Sequence, residues 1–368
     1  VQQMTSAHSN NAPDGHWHSW LEWAASHGIP VPSEARFTTA RERVWEGSEY
    51  VALTCARNPE VFATLLADGD LDRALGDAAL DAALGDMLTG VTEESGLHRA
   101  LRQFRRRHML RIIWRDLAGW AELDETLEDL SALADVCIRR ALALLTDWTE
   151  AALGVPMTTT ADTARRRQSL IVLGMGKLGA RELNLSSDID LIFAFPSTGQ
   201  VEGGPRALTN EQFFARLCQR LVKALDTQTE HGFVFRVDTR LRPFGDAGPL
   251  AMSFDAMEGY YHSQAREWER YAMIKARVVA GDPGPASELM VMLRPFVYRR
   301  YLDFGAIDSL RSLKATIDRE LKRKGMADNI KLGPGGIREI EFIGQSFQLI
   351  RGGRDPELQL RPIQGVLR

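Results

Sequence analysis

Two apolar runs joined by a glycine-rich loop limit most tightly what this chain can fold into. The segment SLIVLGMGKLGARELNLSSDIDLIFAF, Ser169–Phe195, contains Gly174-x-Gly176-x-x-Gly179 directly after its first apolar run. Such a pattern resembles the dinucleotide-binding fingerprint. That fold needs a helix of about ten or more residues and then a strand that ends in an acidic residue. Only eight residues separate Gly179 from Asp188, and the acids precede the second run, so the sequence disfavours a dinucleotide site.

Asp188 and Asp190 open the second apolar run and indicate a different chemistry. In a strand these two residues project from one face, while Ile189 and Leu191 face the core. Two carboxylates this close repel each other unless a cation lies between them. Ligand sets made only of oxygen favour magnesium or manganese. The alternative is a strand edge that carries two solvated acids.

A third segment, Phe233–Leu241, also alternates like a strand. Arg236, Asp238 and Arg240 alternate with small or apolar residues, and Arg242 follows at the same spacing. One strand face would then carry an acid among three guanidinium groups, which indicates an anionic ligand nearby. We predict that Asp238 supplies a third metal carboxylate and that the arginines bind phosphate oxygens. Three aspartates on neighbouring strands are typical of phosphoryl or nucleotidyl transfer.

The rest of the chain has mainly a helical pattern. Apolar residues recur at three- and four-residue spacing from Trp17 to Leu153, and the pattern becomes helical again from Asp255 onward. The first two predicted strands are Leu170–Leu173 and Asp188–Phe195. We predict a frayed terminus at 1–16, a helical domain at 17–153, a linker at 154–168, a catalytic domain at 169–282 and a truncated C-terminal helical region at 283–368. The fold class is therefore α+β, predominantly helical, with a small sheet domain flanked by helical domains.

Four arginines in the first helical region have two interpretations. Arg102, Arg105, Arg106 and Arg107 are spread over the helix surface that the apolar residues leave. Such a helix could bind a phosphate group or an acidic partner. A solvated or salt-bridged face is the commoner outcome, and we favour it here.

Composition excludes several functional classes. The chain has 368 residues and a net charge of −4, whereas a general nucleic-acid scaffold would normally be basic. Its three cysteines lie far apart and show neither zinc-site nor disulfide spacing. No run approaches the ~18 apolar residues of a membrane span. We therefore predict a cytoplasmic protein that binds neither nucleic acid nor membrane.

Several long motifs, in the same order, resemble one enzyme family. The glycine loop followed by ELNLSSDIDL, then RVDTRLRPFGDAGPL, REWERYAMIKARVVAGD and KLGPGGIREIEFIGQSFQLIRGG, is similar to the glutamine synthetase adenylyltransferase/adenylyl-removing enzymes. That family belongs to the DNA polymerase beta-like nucleotidyltransferase superfamily. LRQFRRRHMLRIIWRDL resembles another of its blocks, so the resemblance runs from about Leu97 to Gly353.

The resemblance implies magnesium-dependent nucleotidyl transfer in a sheet domain of the nucleotidyltransferase type. Family members carry two such units. The C-terminal unit attaches AMP to a tyrosine of glutamine synthetase, and the N-terminal unit removes it with phosphate and yields ADP. REWERYAMIKAR and GGIREIEF resemble the removing unit. Adenylylation with ATP, or a regulatory module that binds nucleotide without catalysis, are the alternatives.

The same motifs indicate which residues carry out catalysis and which bind metal or phosphate. The predicted catalytic residues and metal ligands are Asp188, Asp190 and Asp238. The predicted phosphate- or nucleotide-binding residues are Gly176, Lys177, Gly179, Ser187, Arg240 and Arg242, although Ser187 could equally hold a turn. The implied partners are glutamine synthetase, phosphate with ADP or else ATP, and the PII signalling protein.

Overall fold

The chain divides into two compact units. The computed structural model describes residues 13–158, 165–299 and 335–368, together with residues 308, 311, 312, 314, 315, 319 and 323. Unit 1 comprises Val1–Cys137 with Gln228–Val234. Unit 2 comprises Ile138–Thr227 with Phe235–Arg368.

Unit 1 is helical, as the spacing from Trp17 to Leu153 predicted. Its helices are α1 (Pro13–Ser26), α2 (Ala35–Gly47), α3 (Glu49–Arg57), α4 (Pro59–Ala67), α5 (Asp77–Leu88), α6 (Glu94–Leu117) and the first part of α7 (Leu123–Leu153). The predicted frayed terminus is wrong for residues 13–16, because they begin α1. Residues 1–12 of that terminus lie outside the described part of the chain.

Aromatic side chains fill the centre of unit 1. Phe62 is fully buried, and its ring centre lies 5.0 Å from those of Trp20 and Trp114. Trp45 and Phe37 pack on Trp114 at 5.7 and 5.4 Å. Large rings at these separations bury much apolar surface, so they fix how α1, α2, α4 and α6 pack together.

The basic residues of α6 are engaged within the protein. Arg107 donates hydrogen bonds to Asp68 at 2.8 Å and to Asp70 at 2.7 Å, which confirms the salt-bridged interpretation for this residue. Arg102 is only 1% exposed, so its predicted surface position is wrong. Its guanidinium donates to the carbonyl oxygen of Gly232 at 2.8 Å, and this hydrogen bond helps to offset the cost of burial.

Two further arginines of α6 are buried ion-pair partners. Arg111 donates to Asp129 at 2.7 Å, and both side chains are almost completely enclosed. Arg115 donates to Glu125 at 2.7 Å. Both arginines also bind backbone carbonyl groups, so their charges are enclosed but well solvated by protein dipoles.

Unit 2 contains the sheet that positions the acids. Its strands are β1 (Val155–Thr158), β2 (Ile171–Gly174), β3 (Ile189–Phe195), β4 (Gly199–Glu202), β5 (Val237–Asp238), β6 (Ala251–Ser253) and β7 (Arg277–Ala280). Strand β2 lies between β3 and β7 and is antiparallel to both. The other edge of β3 pairs in parallel with β5 at its start and with β6 at its end. Strands β1 and β4 form a separate antiparallel pair.

The helices of unit 2 surround this sheet. Beside the end of α7 they are α8 (Gly176–Ala180), α9 (Asn210–Asp226), α10 (Phe254–Ser263), α11 (Glu267–Met273), α12 (Pro283–Val297), α13 (Ile337–Arg351) and α14 (Ile363–Leu367). A capping box formed by Thr209 and Gln212 begins α9. The α+β class with a predominance of helix is confirmed. Among the helices of the described residues, none has the combined length and apolar character to cross a membrane.

The predicted strands differ in how well they match the structure. Leu170–Leu173 and Asp188–Phe195 correspond to β2 and β3, each of which begins one residue later. The third predicted strand, Phe233–Leu241, is wrong in length, because only Val237–Asp238 is paired. The cause lies in β3, whose outer edge is shared between β5 and β6, so neither strand can be long.

Four strands, β1, β4, β6 and β7, lie where the sequence indicated none. Val155–Thr158, placed in the predicted linker, pairs with β4. Arg277–Ala280, placed in a helical region, pairs with β2. Each of the four strands has only three or four residues, which is too few for an alternating pattern to be distinguished from the neighbouring helical spacing.

Candidate active site

A cleft of about 570 Å³ opens in unit 2 beside the start of β3. The cleft is surrounded by the start of α8, the segment before β3, the start of β3, the region of β5, α11 and α13. Its lining is formed by Gly176, Lys177, Asn184, Ser186, Ser187, Asp188, Asp190, Asp238, Leu241, Tyr271, Ala272, Lys275, Arg338, Glu341 and Gln345. Six of the nine predicted site residues belong to this lining; Gly179, Arg240 and Arg242 do not.

The sheet brings the three aspartates to one side of the cleft. Ile189 and Leu191 are fully buried, so alternation turns Asp188 and Asp190 towards the cleft. Asp190 and Asp238 are direct neighbours across the parallel β3–β5 pair. Neighbouring strands lie about 4.8 Å apart, so these two carboxylates share one end of the sheet.

Two arginines bind the carboxylates of this group. Arg236 Nε lies 2.6 Å from Asp188 Oδ1. Arg240 donates from Nε to both oxygens of Asp238 at 3.0 and 2.9 Å, and its backbone N–H donates to Oδ1 at 2.8 Å. The Arg240 side-chain hydrogen bond lowers the pKa of the Asp238 carboxyl, against the opposing effect of burial. The two arginine side chains are 60% and 72% exposed, so the pairs are open to solvent.

Arg242 lies in a different setting. Its Nη1 donates to the carbonyl oxygen and the hydroxyl of Thr239 at 2.8 and 2.9 Å, and it stands 3.7 Å from Asp246. These contacts hold the turn after β5. The prediction of one strand face with an acid among three arginines is therefore wrong, because the strand ends at Asp238 and the chain turns at Arg240.

The two glycines of the loop have different surroundings. Gly176 has a φ of +53°, and a Cβ there would lie 3.0 Å from Asp190 Oδ2. A side chain would thus occupy the space directly beside this carboxylate. At Gly179 a Cβ would lie 1.9 Å from the carbonyl oxygen of Lys275 and 2.5 Å from that of Gly174. Gly179 therefore permits close packing of α8 against the segment that leads into β7.

Lys177 and Ser187 are connected through Asn184. With the Asn184 amide oxygen turned towards Lys177, it accepts a hydrogen bond from Nζ at 2.7 Å. The backbone N–H of Ser187 donates to the carbonyl oxygen of Asn184 at 3.1 Å. Ser187 therefore sits in a turn and also lines the cleft, so both interpretations of this residue remain compatible with the structure.

A second wall of the cleft is built around Lys275, which the sequence did not place among the site residues. Lys275 is 5% exposed, and its Nζ lies 2.8 Å from Glu341 and 3.2 Å from Glu182. Glu182 also accepts a hydrogen bond from the backbone N–H of Ile363 at 2.7 Å. Lys275 lies two residues beyond the end of α11 at Met273. A charged lysine between two buried apolar residues was the signal that could have identified this wall.

The cleft offers carboxylate oxygens to a cation, but its described side chains do not form a closed metal site. Carboxylate oxygens are the ligands that magnesium prefers, and the missing side chain at Gly176 leaves space beside Asp190. Among the residues that the structure describes, no three His, Cys, Asp or Glu side chains converge closely enough to hold a metal ion. Arg236 and Arg240 supply the positive charge instead, and their exposed side chains can turn away into solvent.

Comparison with known proteins assigns this arrangement to a family. The family model for glutamate-ammonia ligase adenylyltransferase matches residues 40–291, which include both the cleft acids and α6. The model for GlnD PII-uridylyltransferase matches residues 311–363, of which the structure describes only a part.

Individual relatives agree with the first match. Three proteins named bifunctional glutamine synthetase adenylyltransferase/adenylyl-removing enzyme are similar to the chain. The protein from Nitrosococcus oceani is 59% identical over 88% of this chain and 33% of its own length. Those from Pseudomonas syringae and Shewanella loihica are 54% and 45% identical over 91% and 97% of this chain, and 34% and 37% of their own lengths. The chain thus spans about a third of the length of these relatives, and it belongs to the glutamate-ammonia ligase adenylyltransferase family.

Proposed function

We propose that this chain is a magnesium-dependent nucleotidyltransferase unit that removes AMP from an adenylylated tyrosine of glutamine synthetase. Phosphate is the acceptor and ADP the product. The observation that supports this most strongly is the placement of Asp188, Asp190 and Asp238 around one cleft, next to a glycine loop, in a chain of this family. The same constellation would serve ATP-dependent adenylylation. The resemblance of REWERYAMIKAR and GGIREIEF to the removing unit favours removal.

The proposed reaction moves one phosphoryl centre between two oxygens. A phosphate oxygen bonds to the phosphorus of AMP while the bond from phosphorus to the tyrosine oxygen breaks. Phosphate is already anionic near pH 7, so no strong general base is needed. The leaving phenolate has a reference pKa of about 10 and takes up a proton from solvent. The protein must therefore neutralise charge and hold the reactants in line.

The carboxylates would hold magnesium, which when bound neutralises charge on the phosphate and on the leaving oxygen. Asp190 and Asp238 approach from adjacent strands, and Asp188 from the position directly before β3. If these acids held a cation, Arg236 and Arg240 would be able to exchange their carboxylate contacts for phosphate oxygens. Gly176 allows the backbone to approach the phosphates, and Lys177 supplies a further positive charge beside it.

In this proposal, two of the remaining predicted residues position the site instead of binding phosphate. Gly179 keeps α8 against the second wall of the cleft, and Arg242 fixes the turn that carries Arg240. The proposed protein partners are glutamine synthetase as substrate and the PII signalling protein as regulator, in the cytoplasm. The names of the similar proteins support glutamine synthetase as the substrate.

A product assay tests the proposal. The chain is incubated with adenylylated glutamine synthetase and magnesium, with and without phosphate. ADP should appear only when phosphate is present, and chelation of the metal should stop its release. Arg240→Ala should weaken the dependence on phosphate more than it weakens binding of the protein substrate, whereas Arg206→Ala, a change of an exposed arginine outside the cleft, should do neither.

Other outcomes would select other functions. Release of AMP irrespective of phosphate would mean hydrolysis and would remove the proposed role of the arginines. Transfer of AMP from ATP onto unmodified glutamine synthetase would identify the adding unit. Nucleotide binding without magnesium-dependent turnover would identify a regulatory module.

A further inference from the structure

A second cavity in unit 2 shares one segment of chain with the cleft. Its volume is about 310 Å³. Within Tyr271–Ala276, the residues that line the cleft are Tyr271, Ala272 and Lys275, and those that line the second cavity are Met273, Ile274 and Ala276. The segment therefore forms a wall that is common to both.

The second cavity has an apolar wall and a cationic end. Met290, Leu293 and Val297 of α12 supply apolar surface. Arg294 and Arg361 also line the cavity. The combination of a large apolar surface with a few converging polar groups is typical of small-molecule sites, and the volume is near the lower end of their usual range.

Arg294 and Arg361 line the cavity together with Tyr298. Burial raises the pKa of the Tyr298 hydroxyl, and the positive charges of Arg361 and Arg294 both oppose that shift. Burial lowers the pKa of Arg361, and the charge of Arg277 acts in the same direction. Positive charges thus accumulate at this end of the cavity.

No described carboxylate neutralises this charge. Arg361 donates from Nε to the carbonyl oxygen of Ala276 at 2.7 Å. In the part of the chain that the structure describes, neither Arg361 nor Arg294 forms an ion pair with an acid, in contrast to the arginines of α6 and of the cleft. A partly buried guanidinium without a counter-charge is costly, and a bound anion would offset that cost.

We propose that this cavity binds a small organic anion that has one acidic head group, a carboxylate or a phosphate monoester, and a short apolar body. The head group lies between Arg361, Arg294 and the Tyr298 hydroxyl, and the body lies on Met290 and Leu293. Because the cavity shares the wall at Tyr271–Ala276 with the cleft, its occupation changes the affinity of the cleft for nucleotide. The binding itself is independent of the proposed function.

Calorimetric titration of the 368-residue chain with hexanoate and with hexyl phosphate tests the site. Either anion should bind with one-to-one stoichiometry and at least about tenfold more tightly than hexan-1-ol, which lacks the charge, or acetate, which lacks the apolar body. The tighter of the two identifies the head group. Arg361→Gln and Arg294→Gln should each weaken binding by about tenfold, the effect of losing one charge-assisted hydrogen bond. Arg206→Gln, a change of an exposed arginine elsewhere in unit 2, should bind as the wild type does.

Three results would overturn the inference. The site would be refuted if neither anion bound more tightly than hexan-1-ol, or if both arginine variants bound normally. Should Arg361→Gln disturb folding, as judged by circular dichroism, the exposed Arg294 decides the question alone. The coupling would be refuted if the affinity for ADP with magnesium were the same with and without saturating anion.

Discussion

Arginine–carboxylate pairs occur in both units, and two of these pairs differ sharply in how far they are buried. In unit 1, Arg111 and Asp129 lie 2.7 Å apart with side chains 0% and 7% exposed. In unit 2, Arg236 and Asp188 lie 2.6 Å apart with side chains 60% and 52% exposed. The distances are almost equal, so distance alone does not separate a fixed structural pair from one that can exchange partners. Burial does.

The pKa values of Asp129 and Asp238 shift in opposite directions, in line with this difference in burial. Burial raises the pKa of Asp129 more than Arg111 lowers it. At Asp238 the hydrogen bond from Arg240 outweighs burial, and the pKa is lowered. A buried pair therefore carries a large desolvation cost that only its partner offsets, whereas the hydrogen bonds from Arg240 keep the Asp238 carboxylate ionised.

The largest expected effect is on the buried pair of unit 1. Asp129→Asn should leave Arg111 enclosed without a counter-charge and lower the free energy of unfolding by about 3–5 kcal/mol. Asp72→Asn, which breaks the exposed pair with Arg36, should cost no more than about 1 kcal/mol. Urea denaturation of both variants measures the difference. Equal losses would show that burial does not govern these pairs.

The next effect concerns the acids of the cleft. Asp190→Asn should reduce magnesium-dependent turnover by more than about 100-fold, since even residues that only support a metal ligand contribute 10- to 100-fold. Its melting temperature should be unchanged or slightly higher, because repulsion between neighbouring carboxylates is relieved. Asp246→Asn is the control, since that side chain is 79% exposed and outside the cleft lining. Near wild-type turnover of Asp190→Asn would exclude the metal role, whatever the reaction.

What the sequence revealed of the cleft depended on local patterns. Ile189 and Leu191 alternate with the acids within one strand, so their inward direction fixes that of Asp188 and Asp190. The second wall of the cleft could not be found in this way, because Lys275 meets Glu182 and Glu341 only through long-range packing. The predicted strand position of Arg240 is wrong for a related reason. A strand continues past Asp238 only if a neighbouring strand pairs with it there, and the residues of the segment itself do not show whether one does.

The stability of unit 1 should also depend on pH, because of His108. Burial, together with the charges of Arg107 and Arg111, lowers the pKa of His108 from 6.5 to about 3. The folded protein thus keeps this histidine neutral, while the unfolded chain binds a proton below pH 6.5. Stability is therefore complete above pH 6.5 and falls on acidification towards pH 3, by up to about 1.4 kcal/mol per pH unit.

Melting temperatures at pH 7.5 and 5.5 check this expectation. His108→Leu should lose less stability on acidification than the wild type does, because the group that protonates in the unfolded chain is gone. An equal loss in both proteins would assign the acid sensitivity to other residues.

The smallest effect is expected at the exposed pair of unit 2. Arg240→Gln removes the hydrogen bonds that lower the pKa of Asp238, so this carboxyl should titrate at a higher pH than in the wild type. Its depressed pKa contributes stability above the unfolded-state value, and that contribution is lost as the pH falls through the folded-state value. Carbon-13 NMR of the aspartate carboxyls measures the shift, with Arg206→Gln as reference. An unchanged titration would mean that the pair is absent in solution.

The hydrogen bond from Ile363 to Glu182 joins two segments that the ribosome makes at different times. The two residues are 181 positions apart, so at 5–20 residues per second the ribosome reaches Ile363 roughly 10–35 s after Glu182. Glu341, the other acid that holds Lys275, is also synthesised late. The strands that carry the aspartates therefore emerge long before the wall that closes the cleft. A nascent chain therefore passes through a period in which the aspartate strands have been made and the residues that hold Lys275 have not.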